Sequence, residues 1–140
     1  MSIWNRFPNG LTAVKADRLE LGEIFDATWK KRTWVTTGAR GYVDFRIENK
    51  PEGSEIITEK RQIPYRVVVA LPGASNTYIR TYDGKNWSDV EIPTVGSLPV
   101  NLWDYKSVIN LEKGKYVFYV RVMGDGFPVA WSSPIWVDIK

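Results

Sequence analysis

The chain has 140 residues, with 19 Lys plus Arg against 16 Asp plus Glu, no cysteine and no histidine. That length carries one domain able to hide roughly two-thirds of its unfolded surface without disulfides. Lacking imidazole and thiol, it is without the most usual general base, the Ser-His and Cys-His nucleophile arrangements, and His and Cys zinc ligands.

The excess of positive charge is mild, and apart from Lys30-Lys31-Arg32 and Lys60-Arg61 the basic residues are scattered. No basic stripe or nucleic-acid motif accompanies them, so both clusters read as solvated edges and no nucleic-acid partner is expected. Residues 1–10 lack the apolar core of a secretion signal, and no apolar run approaches the ~20 residues of a membrane helix. Synthesis in a cytosol and no membrane partner are expected.

In chain order, residues 1–10 read as a short N-terminal arm. Trp4 and Phe7 stand among polar neighbours, and Pro8-Asn9-Gly10 breaks the chain before any periodic pattern. Residues 11–140 read as the folded domain. Within Asp17 to Trp29, Leu21, Ile24, Phe25 and Thr28 fall at helical spacing behind a possible Asp17 N-cap. Gly22 would cost such a helix about 1 kcal/mol relative to alanine, and strand-turn-strand is the preferred reading.

From Gly41 the period is two. Val43, Phe45 and Ile47 face one way and Tyr42, Asp44, Arg46 and Glu48 the other, as in a half-buried strand. An Asn49–Gly53 turn follows, then a less regular stretch from Ser54 to Gln62 and a β-branched run from Tyr65 to Leu71. Asn76–Tyr82 and Asn86–Ile92 flank Asp83-Gly84, a strong hairpin signal. Pro93 to Trp103 reads as a long loop and Tyr105 to Leu111 as a strand. Lys115–Met123 is apolar on both faces and is expected at the centre of its sheet. Ile135, Val137 and Ile139 line one face of the closing strand. The sum is about eight short strands at ~8–12-residue spacing, which predicts an all-β chain: a single antiparallel β-sandwich, Ig-like or jelly-roll-like. Val43, Phe45, Ile47, Val67, Val69, Phe118, Val120, Ile135 and Val137 are its expected core.

Residues with catalytic or ligand chemistry each have a simpler reading. Thr81–Trp87 compares with the Asp-box of propellers but occurs once and is one residue short, so a tryptophan-pinned hairpin is preferred. Asp83, Asp125 and Asp138 could offer oxygens to calcium but match no calcium-loop spacing. Glu91, Asp104 and Glu112 could serve a two-carboxylate glycosidase, yet nothing marks two of them as a pair. The expectation is a non-enzyme with no catalytic, cofactor or metal site. Seven tryptophans and seven tyrosines are the most unusual feature of the composition. Such rings fill cores and also build binding surfaces. Trp4, Phe7, Tyr119 and Trp136, in the arm or on the second face of their strands, are the expected partner-binding residues.

Two resemblances add to this. Leu111–Val122 resembles the penultimate strand of Ig-like and fibronectin-III-like sandwiches, and Ala130–Val137 resembles the strand that closes them. The Ig cysteine pair is absent. Leu21–Phe25, Thr36–Gly38 and Tyr42–Ile47 together are similar to small β-rich virion proteins of tailed bacteriophages, departing from them after Pro64. That resemblance implies a structural virion component, such as a capsid decoration, head-fibre base, tail or adaptor subunit. It would be made in the host cytoplasm and located in the virion, with other virion proteins and copies of itself as partners. It carries over no functional residues. The alternative from the aromatics is a carbohydrate-binding module, with a glycan as partner.

Overall fold

A computed structural model describes residues 10–38, 40–93, 102–124 and 126–140. Eleven strands and one helix follow one another in these residues. They are β1 (Leu11–Val14), α1 (Leu21–Trp29), β2 (Thr33–Thr36), β3 (Tyr42–Ile47), β4 (Glu55–Thr58) and β5 (Gln62–Ala70). Then come β6 (Asn76–Tyr82), β7 (Trp87–Glu91), β8 (Leu102–Asn110), β9 (Gly114–Met123), β10 (Pro128–Ser132) and β11 (Ile135–Ile139). The all-β sandwich is as expected, with eleven strands in place of about eight. Residues 1–9 of the expected arm, Trp4 and Phe7 included, lie outside the described residues, as does most of the Pro93–Trp103 loop.

The strands form two sheets, one of eight strands and one of three. The smaller runs β3-β5-β8, all antiparallel. In the larger, β9 is the axis. One edge of β9 takes β6, which in turn pairs with β7. Its other edge is shared, β10 pairing with the Met123 end and β11 with the Gly114 end. Beyond β10 come β2 and then β1, and beyond β11 comes β4, the one parallel neighbour among the described strands. A strand paired on both edges and buried on one face while half-covered on the other explains why β9, Lys115 and Arg121 apart, is apolar on both faces.

The core fills the space between the sheets. Val43, Phe45, Ile47, Val67 and Val69 from the smaller sheet meet Phe118, Val120, Ile135 and Val137 from the larger, each at most 1% exposed. Trp103, fully buried, and Ile56, Ile63, Ile79 and Ile139 complete it. Pro64 lies inside β5, yet its missing N–H costs nothing there. Its carbonyl accepts from Glu48 N–H just past the end of β3, so its nitrogen faces the place where that neighbour has already turned away.

Residues 21–29 are the main correction to the sequence reading: they are helix, not strand. Ile24 N–H closes on the Glu20 carbonyl, Thr28 Oγ1 donates to the Ile24 carbonyl at 2.7 Å, and Lys30 pairs with Asp26 one turn back. The helix starts at Glu20 without a side-chain cap, so Asp17 plays no such part.

Gly53 fixes the loop after β3 against the end of this helix. Its φ is +85°, and a Cβ there would fall 2.0 Å from the Lys30 carbonyl oxygen. Gly53→Ala is therefore expected to cost at least about 1–3 kcal/mol, from left-handed strain and forced separation of backbone from backbone. Denaturant melts measure it. A cost near zero would mean that the loop and helix end part freely.

Candidate functional site

Three features could carry function. The first is the helix. Ala27 is its one buried residue. Leu21, Phe25 and Trp29, at i, i+4 and i+8, form a stripe on the opposite side, continued by Leu19 just before the helix. They are 86%, 68%, 78% and 94% exposed. The Phe25 and Trp29 rings stack with centroids 6.4 Å apart and planes 12° from parallel. An ordinary surface helix turns its apolar stripe to its own core. This one turns it to solvent, as contiguous exposed apolar surface.

The second is the outer face of the larger sheet. Register places Trp87, Tyr82, Val117 and Trp136 in one row across β7, β6, β9 and β11, with Asp89, Arg80 and Tyr119 in the next. Trp87 lies 5.0 Å from the Tyr82 ring and edge-on to Tyr119 at 5.7 Å. The Arg80 guanidinium sits over Trp87 at 5.0 Å, donates to the Tyr119 hydroxyl, and is held by Asp89 at 2.7 Å. Tyr82 and Trp136 border a groove of about 410 Å³, with Val117 in its lining and Glu55, Lys115 and Asp138 as its polar groups. The Lys31 ammonium lies over the Trp136 ring at 4.8 Å. Tyr119 and Trp136 thus stand on the solvent-facing side of their strands, as their spacing indicates.

The third is a buried ionic cluster at the free edge of β3. Lys15 Nζ reaches Asp44 Oδ1 at 2.5 Å and Glu52 Oε2 at 2.8 Å. It also lies 5.5 Å from the Trp34 ring and 5.4 Å from that of Tyr42. Glu52 is 1% exposed and accepts Phe45 N–H at 2.9 Å, satisfying an edge donor of β3. Burial pushes the Glu52 carboxyl above its ordinary value although Lys15 and the Phe45 N–H oppose this. Burial acts the same way on Asp44, but the hydrogen bonds and charges of Lys15 and Arg46 outweigh it and leave Asp44 lowered. Every charge has a partner and the ring faces close the site, so the cluster works as a clamp between the β1–α1 segment and β3.

The other sequence candidates do not converge. Glu91 ends β7 and accepts from Asn76, while Asp104 lies on the smaller sheet in a two-point pair with Arg66. Glu112 sits in the turn before β9. Asp83 Oδ1 accepts the Lys85 and Asn86 N–H groups, an ordinary turn use, and these bonds hold its carboxyl below the usual range. Asp138 pairs with Lys140, and Asp125 lies outside the described residues. Leu19, Leu21, Phe25 and Trp29 all fall within the Asp17–Trp29 segment, whose preferred strand-turn-strand reading gives them no common face. The i, i+4, i+8 spacing of Leu21, Phe25 and Trp29 was the available signal.

No family model matches the chain. It is similar to uncharacterized proteins of Chlamydia trachomatis (serovar D), at 28% identity over 150 aligned residues, and of Chlamydia muridarum, at 27%. Another, from Chlamydia pneumoniae, is 27% identical over 147 aligned residues. Each alignment covers 96% of this chain and 24% of the relative. The chain therefore spans about a quarter of the length of the curated relatives it matches.

Proposed function

We propose that this chain is a non-enzymatic module that acts through protein–protein contacts, with the outer face of α1 as its principal contact surface. The observation that carries this is the stripe of Leu19, Leu21, Phe25 and Trp29, left in solvent by a helix whose own packing uses Ala27. Leaving such groups in water forfeits about 1.5–3 kcal/mol of burial for each, a cost that a contact surface recovers on binding. A virion is the assembly that the resemblance of residues 21–47 suggests. That placement rests on the resemblance alone, since the named relatives are bacterial proteins.

The double variant Phe25→Glu/Trp29→Glu tests the reading. Its stability should stay within about 0.5 kcal/mol of the unaltered chain, as for other exposed positions, while uptake of a hydrophobic dye such as ANS is lost. A stability loss above about 2 kcal/mol would show that the stripe belongs to the fold and not to a partner. Turnover of a glycoside, ester, peptide or phosphate that vanishes in Glu91→Ala, Asp104→Ala or Glu112→Ala would overturn the non-enzymatic part.

The groove beside Trp136 favours one further reading, glycan binding. Tyr82 and Trp136 could receive the apolar faces of a sugar while Glu55 and Asp138 accept its hydroxyls. Against it, the Tyr82–Trp87 and Trp87–Tyr119 ring pairs on that face cross at 34° and 78° and pack on one another, and Lys31 already covers Trp136. Retardation in gels containing soluble polysaccharide, abolished by Trp136→Ala, would establish it.

A further inference from the structure

We infer that the α1 face pairs with the same face of a second copy of this chain, the two helices lying antiparallel about a two-fold axis at Phe25. This rests on the reading of α1 as a contact surface and names its occupant.

Four observations converge on that partner. The stripe is self-complementary. With Phe25 on the axis, Leu21 of one copy meets Trp29 of the other, so a small aliphatic group faces a large ring at both ends. The area suffices. If each of the four exposed side chains contributes about 150 Å², the two copies withdraw roughly 1,200 Å² together, the lower bound of a specific interface. The sense of pairing follows from the helix dipoles, which oppose one another when the helices are antiparallel and set like ends side by side when they are parallel. Finally, Gly22 borders the stripe, and nothing lies within 4 Å of where its Cβ would be. A bare backbone at that position lets a second helix approach closely, which gives a use to a glycine otherwise unfavourable in a helix.

The absence of cysteine makes the geometry directly readable. Phe25→Cys would carry a single thiol on the axis, and under mild oxidation it should give a disulfide-linked dimer. Leu21→Cys and Trp29→Cys sit one helical turn, about 6 Å, from the axis, so each thiol lies about 12 Å from its own copy and outside disulfide reach. Separately they should link poorly, and mixed in equal amounts they should link to each other. Sedimentation equilibrium of the unaltered chain should show a reversible dimer, which Phe25→Glu weakens at least roughly tenfold, as expected for losing a central aromatic anchor.

The failures are distinguishable. A chain that stays monomeric, yet takes up ANS in a way that Phe25→Glu abolishes, would keep the contact surface and overturn the second copy as its occupant. A dimer indifferent to Phe25→Glu would overturn pairing through this face. Monomers with no stripe-dependent dye uptake would overturn both the pairing and the reading beneath it.

Discussion

Replacing Lys15 with methionine should destabilise the fold by about 3–5 kcal/mol at neutral pH, as expected when one partner of a buried ionic set is removed. The Lys15 side chain is 16% exposed and those of Asp44 and Glu52 are 8% and 0% exposed. Without the ammonium, two carboxylates confront each other with little water, and Glu52 keeps only backbone N–H donors, that of Phe45 among them. The pH dependence identifies the cause. In the unaltered chain Glu52 is raised above 4.5, chiefly by burial. Between that value and its folded value the native state holds the extra proton, so this group adds stability as pH falls. Asp44 is lowered below 3.8: burial is its largest influence and acts upward, but Lys15 and Arg46 together outweigh it. Its contribution is complete above 3.8 and is lost as pH falls through the folded value. In Lys15→Met both carboxyls lose their main cation and both should rise. The cost of the substitution should then shrink on acidification towards the Glu52 reference of 4.5. Urea melts of both chains at the two pH values measure this. A cost that is small, or equal at both, would show that the carboxylates are solvated and the clamp ineffective.

Phe118→Ala should cost about 3–5 kcal/mol, the range for deleting a fully buried aromatic ring. Phe118 is 1% exposed and its ring stacks on Tyr116 at 6.1 Å. Its residue is registered on both edges, with Thr81 of β6 and Ile135 of β11. Backbone pinned from two sides has little freedom to collapse into the vacated volume, so the upper half of the range is expected. The denaturant midpoint should fall with an unchanged slope, since the surface exposed on unfolding is nearly the same. A cost below about 1 kcal/mol would mean that the inward face of β9 has been misassigned.

Legibility in the sequence followed how completely a segment's neighbours impose one period on it. β3 shows Val43, Phe45 and Ile47 in clean alternation because only one of its faces meets the core. The β6–β7 hairpin was readable from Asp83-Gly84, whose turn depends on local chemistry. β1, β2 and β10 were missed, because they are four or five residues long and parts of their inward faces are polar. Thr36 and Ser132 are buried, and Ser132 Oγ accepts Val120 N–H at 2.8 Å. The helix was misread because its apolar residues serve no core, so their pattern conflicted with everything else expected of a sandwich. Asp44 was assigned to the solvent face of β3, yet it is 5% exposed because Lys15 and Arg46 close over it. The clamp was invisible for a simpler reason. Lys15, Asp44 and Glu52 come from separate segments, and no local rule announces an ion pair across 29 or 37 positions. Tyr119 and Trp136 were correctly placed on an outer face, which period two alone can establish.

The sharing of β9 between β10 and β11 also governs how fast the chain can fold. β2 pairs with β10, and β4 with β11, across most of the chain's length. Neither early strand has its neighbour on the β9 side until the last two strands have been made and have docked on β9. The three-stranded sheet has no such dependence on them. Closing loops of that span before any contact rewards them is slow, so folding should fall in the millisecond-to-second range typical of sandwiches, far behind helical domains of similar size. Until closure, β2 and β4 present unpaired edges beside an already apolar helix face, and that interval is when the chain is most exposed to aggregation.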